Sequence, residues 1–321
     1  MLQNEQLQIT LKRRAKLLAN VRRFFSVRNV LEVSTPILSS AAPTALYLDS
    51  FSTRFEAGSD SKVLYLHTSP EFAMKRLLAA GSGAIYQIAT VFRNGELGRQ
   101  HAPEFSMLEW YRPGFSLTEL MTEVDAFMQQ VIGLPAAVIF TYRDLFVKYL
   151  QLDIYQADDN LLKQIALDRI AGLTADWQTD RDGWLEMLMS EVIEPQLKAL
   201  EMPVMVTEFP ASQAQLAKIE MNAEGHQVAS RFELYAGGME LANGYDELCD
   251  ATELRQRFEQ DNQLRLQQGK PQMPIDENLL TAMQSGLPQC SGVALGLDRL
   301  MMLHFAENNI SQVQGIAFIE N

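Results

Sequence analysis

Cysteine is nearly absent from this chain: there are two in 321 residues, Cys249 and Cys290, and they form no CxxC pair. With only four histidines as well, no zinc-ligand spacing can be assembled and no disulfide framework staples the fold. Long apolar runs are missing too. No stretch approaches the roughly 20 residues that cross a bilayer, and the opening MLQNEQLQITLKRRAKLL lacks the apolar centre of a signal peptide. A reduced, cytoplasmic protein without a membrane partner is the expectation. Basic charge is also short, with 27 Lys and Arg against 40 Asp and Glu, a net charge of −13. Each backbone contact to a nucleic acid needs a cation to displace counterions, so a broad phosphate-tracking surface is excluded. A local basic pocket for one nucleotide is not. Repeats, low-complexity segments and Gly/Pro/Ser-rich linkers are absent, so one domain over 1–321 is expected.

What the chain does have is a globular balance, 47% hydrophobic and 21% charged. Leu17, Leu18, Val21, Phe24 and Phe25 recur at helical spacing within 11–25, with Lys and Arg on the other face. NVLEVSTPIL alternates and is β-branched; Pro36 cannot donate to a ladder, so this strand belongs at an edge or an interface. TSPEFAMKRLLAAG reads as a capped helix, with Ser69 at the N-cap, Pro70 in the first turn and Gly81 past the end. AIYQIATVF and FSMLEWY are strand-like and flank a charged loop, an antiparallel hairpin. Residues 117–200 are mainly helical in pattern and read as an elaboration, with no role assigned. RFELYAGGMELANGY is a second hairpin turning at Gly237 and Gly238. DATELRQRFEQDNQLRLQQG is a helix, and CSGVALGLDRLMMLHF runs from a strand straight into another. Hairpins with helices before and after them predict an α+β fold with a largely antiparallel sheet.

Four constellations carry chemistry, each with a plainer reading beside it. Arg93, at the end of a strand, offers a rigid fork to a phosphate, or makes a surface ion pair. Arg299 follows Gly296 at a strand-to-helix junction, where glycine admits a ligand to the backbone and the helix start favours anions. A capped helix start explains the same GLDR. Glu240 and Glu247 could share Mg²⁺, a hard cation that prefers oxygen ligands, or stand as a solvated pair; the small and apolar setting of Glu240 in GGMELANGY suggests burial. Ser69 to Glu71, with Tyr111, could receive an ammonium group, or simply cap a helix.

In this order the pieces resemble the catalytic core of class II aminoacyl-tRNA synthetases of the lysyl type. FFSVRNVLEVSTPIL resembles the first family motif, VFRNGELGRQHAPEFSMLEWY the second and GVALGLDRLMML the third. ELANGYDEL and SPEFAMKRLL are similar to lysyl-specific segments between them. The resemblance implies an antiparallel six- to seven-stranded sheet flanked by helices, a homodimer, and activation of an amino acid as its adenylate at the expense of ATP. By residue it implies Arg93 on the α-phosphate and Arg299 on the γ-phosphate and adenine. Asn94, Gly95, Ala102, Glu240, Leu241 and Gly296 would complete the ATP site, and Glu240 and Glu247 would hold Mg²⁺. Ser69, Pro70, Glu71, Tyr111, Glu247 and Ala294 would face lysine or β-lysine.

Three departures shape the expectation further. Lysyl-tRNA synthetases carry an N-terminal β-barrel for the anticodon, whereas here the first-motif helix starts within about ten residues of Met1, so no anticodon-binding domain and no stable tRNA binding are expected. The resemblance is instead to free-standing paralogues in the family. It implies transfer of the activated β-lysine to a lysine ε-amine of elongation factor P, with Ala294 standing where the synthetases commonly have glycine. Gly95 replaces the Glu of the family's FRNE, and Ala102 the Asn of its HNPEF, so weaker ATP binding is expected; Glu96, one position along a strand, would point to the other face. A truncated synthetase-like enzyme with another acceptor, and a non-catalytic sensor of ATP or amino acid, are the other readings. His67, His101, His226 and His304 are expected to be structural or superficial.

Overall fold

The computed structural model describes residues 2–316. Its strands are β1 (Leu31–Glu32), β2 (Leu38–Ser39), β3 (Ser52–Ala57), β4 (Asp60–Leu66), β5 (Ile85–Phe92), β6 (Glu104–Pro113), β7 (Val138–Thr141), β8 (Val204–Pro210), β9 (Ile219–Met221), β10 (Gln227–Ala236), β11 (Met239–Asp246) and β12 (Cys290–Gly296). The main sheet has nine strands in the order β1-β5-β6-β12-β11-β10-β8-β7, with β9 paired to β10; a small sheet runs β2-β4-β3. The fold is α+β as expected, but the expected six or seven antiparallel strands are corrected to a nine-stranded mixed sheet. β1 lies parallel to β5, and β7 parallel to β8, at the two ends of the order.

Parallel neighbours need a long crossover, usually helical. The helices Tyr142–Leu150, Asp159–Arg169 and Arg181–Leu188, a π-turn and Glu194–Lys198 supply it between β7 and β8. The later part of the segment read as an elaboration, from Tyr142 to Lys198, is therefore a connection that the sheet requires. The Pro36 strand shrinks to β1 and β2, and β1 does end the sheet. Both predicted hairpins form, and Gly237 and Gly238 turn the second with φ of 61° and 78°, a pair of left-handed positions that favours glycine.

One face of the sheet is closed by the helices Leu2–Ser26 and Leu117–Ile132. Phe25 stacks on Tyr86 with ring centroids 4.3 Å apart and meets Trp110 edge-on at 5.3 Å, while Phe24 meets Phe127 at 5.1 Å. The i, i+4, i+7, i+8 spacing of Leu17, Val21, Phe24 and Phe25 puts all four in this core. The second helix is fixed by a capping box of Ser116 and Glu119. Along β6, Leu108 and Trp110 enter this core, and the alternation sends Met107, Glu109 and Tyr111 to the opposite face. There the sheet is not packed shut. It floors a cavity.

Candidate active site

The cavity measures about 950 Å³ and runs across β6, β12, β11 and β10. Its register is set by strand pairing. Glu109 lies opposite Ala294, which lies opposite Asn243; one row on, Tyr111, Gly292 and Tyr245 stand side by side. Gly292 is required sterically, because a Cβ there would sit 2.3 Å from the Tyr111 ring and 2.7 Å from a Glu247 carboxylate oxygen. A register shift opposite Leu234 and Tyr235 marks a bulge in β11 between Glu240 and Ala242. A bulge re-aims one side chain, and Glu240 thereby lines the cavity along with Asn243, Tyr245 and Glu247.

At one end stand the two arginines. Arg93 directly follows β5, its side chain lies over the Phe105 ring with the guanidinium carbon 5.2 Å from the centroid, and a nitrogen approaches Glu96 at 3.6 Å. Its Nε is buried and has no hydrogen-bond partner among the described residues. A buried unpaired donor is costly, and an oxyanion is the acceptor that suits a guanidinium. Arg299, in the first turn of the helix Leu297–Phe305, donates to the Gln100 carbonyl at 3.2 Å, the Glu240 carbonyl at 2.9 Å and His101 Nε2 at 2.6 Å. Burial, and then the Arg299 charge, hold the His101 imidazole below its ordinary value, so a neutral ring accepts that bond. His101 thus lines the cavity and holds Arg299, the structural one of its two expected roles. Gly296 has an ordinary φ of −70°, and a Cβ there would meet only the Arg299 side chain at 3.8 Å. Its bareness keeps open the space above it.

At the other end, carboxylates converge. Ser69 donates to Glu109 at 2.6 Å and Tyr111 donates to it at 2.7 Å. Burial, and then the nearby Glu71, push the Glu109 carboxyl up to about 8. Lys75 bridges Glu71 and Glu247 at 2.6 Å each, with Lys75 and Glu247 both 1% exposed. Burial works against the Lys75 charge, but Glu247 and Glu71 outweigh it and hold the ammonium well above its ordinary range. Burial raises Glu247 to about 7 against the pull of Lys75. A third wall comes from the crossover, where burial and then Glu240 and Glu233 push Glu194 up to about 8.

Most expected site residues meet here. Arg93, Ala102, Glu240, Leu241, Gly296 and Arg299 line the side that holds the two arginines, and Ser69, Glu71, Tyr111, Glu247 and Ala294 the other. Pro70, Asn94 and Gly95 do not line the cavity. Pro70, not Ser69, is the N-cap of the helix Glu71–Ala79, while Ser69 Oγ accepts from the Glu71 amide at 3.0 Å. Gly95 sits in a turn with φ of 86°, a conformation suited to glycine, so Glu96 is not on a strand and does face the cavity. Glu240 is 39% exposed rather than buried. Glu240 and Glu247 are engaged apart, one with Arg299 and the other with Lys75. Among the described residues no group of three or more His, Cys, Asp or Glu is arranged to hold a metal. Glu109, Lys75, Gly292 and Glu194 were missed by sequence reasoning; only Glu109 carried a signal, two residues before Tyr111 on the same face of a strand.

Residues 1–319 match the family described as tRNA synthetases, class II (D, K and N), and the chain belongs to that family of enzymes. More narrowly, it is 49% identical over 310 residues, 96% of this chain and 94% of the relative, to "Elongation factor P--(R)-beta-lysine ligase" of Proteus mirabilis (strain HI4320). No helix among the described residues is long and apolar enough to cross a membrane.

Proposed function

We propose that this enzyme is an ATP-dependent ligase that activates (R)-β-lysine, or lysine, as an adenylate and transfers it to a lysine ε-amine of elongation factor P. The observation that carries the reading is one continuous cavity with guanidinium groups at one end and a buried carboxylate cluster at the other. The first suits a triphosphate, the second an amino acid with a cationic side chain. The high identity to a relative named for this reaction supports the same choice of acceptor.

In the first step a substrate carboxylate oxygen attacks the α-phosphorus and pyrophosphate leaves. Arg93, with its unpaired Nε, neutralises charge that grows on the α-phosphate oxygens, and Arg299 holds the tail of the nucleotide over Gly296. Glu71, Glu109 and Tyr111 hold the substrate's ammonium groups, so that its carboxylate is delivered at a fixed distance. In the second step a deprotonated ε-amine attacks the acyl carbon, an amide bond forms, the acyl–oxygen bond to phosphate breaks and AMP leaves. No covalent bond to the enzyme is needed.

Mg²⁺ would enter with the nucleotide, since it keeps waters and phosphates in its shell and asks for one or two carboxylates. Glu240, open beside Arg299, fits that role, whereas Glu247 does so only by leaving Lys75. The enzyme would act in the cytoplasm as a homodimer, without stably binding tRNA. The test is a competition: labelled β-lysine or lysine offered together to elongation factor P and to tRNA, with ATP. Label on elongation factor P is the expected result, and label on tRNA alone refutes the reading.

A further inference from the structure

Lys75 is a buried cation that none of these steps uses. It is 1% exposed and lies behind the cavity wall, while both of its partners, Glu71 and Glu247, line the cavity. The three form a chain: Glu247 to Lys75 at 2.6 Å, and Lys75 to Glu71 at 2.6 Å. Glu71 and Lys75 are four residues apart on the helix Glu71–Ala79, so they share one face. Helix stability does not call for this arrangement. Burying two charges in one pair costs about as much as it returns, and an apolar residue of similar volume would pack at least as well. What differs along the chain is exposure: Glu247 is 1% exposed, whereas Glu71 is 17% exposed, at the cavity edge. The buried end anchors, and the open end is held.

We propose that Lys75 is a positioning residue for the amino-acid pocket: anchored by Glu247, it fixes the Glu71 carboxylate in the orientation that receives an ammonium group of the diamino acid. The lysine holds one Glu71 oxygen, Oε1, at 2.6 Å, which leaves Oε2 for the substrate. An unheld Glu71 would sample several rotamers, and the substrate would have to order it on binding. This rests on the reading of the pocket as an amino-acid site, though not on the identity of the acceptor.

The experiment is amino-acid-dependent exchange of pyrophosphate into ATP with no acceptor added, using 3,6-diaminohexanoic acid and its two mono-amine analogues, 3-aminohexanoic and 6-aminohexanoic acid. In Lys75→Met the KM for the diamino acid should rise about tenfold, with the KM for ATP within twofold and kcat little changed. The preference lost should be against the same analogue as in Glu71→Gln. The double variant Glu71→Gln with Lys75→Met should be no worse than Glu71→Gln alone, because Lys75 acts through Glu71. Additive losses, or a Lys75→Met KM equal to that of the wild type, overturn the proposal. Should Lys75→Met fail to fold, Lys75→Met with Glu247→Gln removes the unpaired buried carboxylate and must show the same rise in KM; a wild-type KM there overturns it equally. A wrong acceptor leaves this assay untouched. A wild-type enzyme that exchanges with no diamino acid sinks both the pocket reading and the role of Lys75.

Discussion

Around Arg93 and Arg299, at one end of the cavity, the charged side chains keep a path to water; at the other end Lys75, Glu247 and Glu109 do not. Arg93, Arg299 and Glu240 are 28%, 21% and 39% exposed, against 1% for Lys75, Glu247 and Glu109. The open end works by shape, a guanidinium fork whose charge water already supports and whose orientation neighbours such as Gln100 and His101 fix. The closed end works by charge in a poor dielectric, where each group depends on the others. The same kind of substitution should therefore damage binding at one end and folding at the other.

The largest effect expected is on stability at the closed end. Lys75→Met leaves Glu247 buried without its cation and should lower the unfolding free energy by about 3–5 kcal/mol in denaturant titrations. Arg93→Ala should cost roughly 10²–10³-fold, about 2.7–4 kcal/mol, in adenylate formation, with the denaturation midpoint almost unmoved. If the arginine variant unfolds or the lysine variant does not weaken, the contrast between the two ends collapses. Next comes Glu109→Gln, which keeps the shape but removes the carboxyl that a bound ammonium group would draw into its charged form. Loss of a charged hydrogen bond is worth about 1.5–3 kcal/mol, so the KM for the amino acid should rise roughly ten- to a hundredfold while that for ATP holds.

The closed end also carries a pH signature. Glu109 has an ordinary value of 4.5 and is pushed up to about 8 by burial and Glu71. The folded state then binds more protons than the unfolded state between those values, so stability falls as pH rises from 4.5 towards 8 and levels beyond it. Thermal melts of the ligand-free enzyme should decline across that window, and Glu109→Gln should flatten the decline. The smallest effect belongs to Glu96→Ala at the open end, where one exposed contact worth about 0.5–1.5 kcal/mol should raise the KM for ATP by a few-fold. Restoring the family's residue by Gly95→Glu is not the better test, because at φ of 86° any L side chain is strained.

The two ends were also unequally legible. The open end is written in local order: Arg93 in its loop, and Arg299 at a strand-to-helix junction, stand at fixed offsets in short motifs. The closed end depends on which side chains become buried together. Lys75 in SPEFAMKRLL is indistinguishable from a solvated helix lysine until the fold sets it against Glu247, just past the end of β11. Glu109 was in plain sight in MLEWY, but its partners lie forty residues before and two after. The separate engagements of Glu240 and Glu247 were hidden as well, since neither the bulge that turns the first nor the lysine that meets the second has a sequence signal. Sheet order failed for a related reason. β1 is two residues long and β7 four, too short to show alternation, and both parallel pairings rest on them.

The segment that joins β7 to β8 is part of the sheet's wiring and, through Glu186, Met189, Ser190 and Glu194, part of the cavity wall. Glu194 stands near enough to Glu240 for their charges to act on each other, so a change of charge in this connection reaches the carboxylate beside Arg299, and a change of length reshapes one wall of the cavity. Variation in that one connection can therefore retune the cavity from the side while the strands that floor it stay as they are.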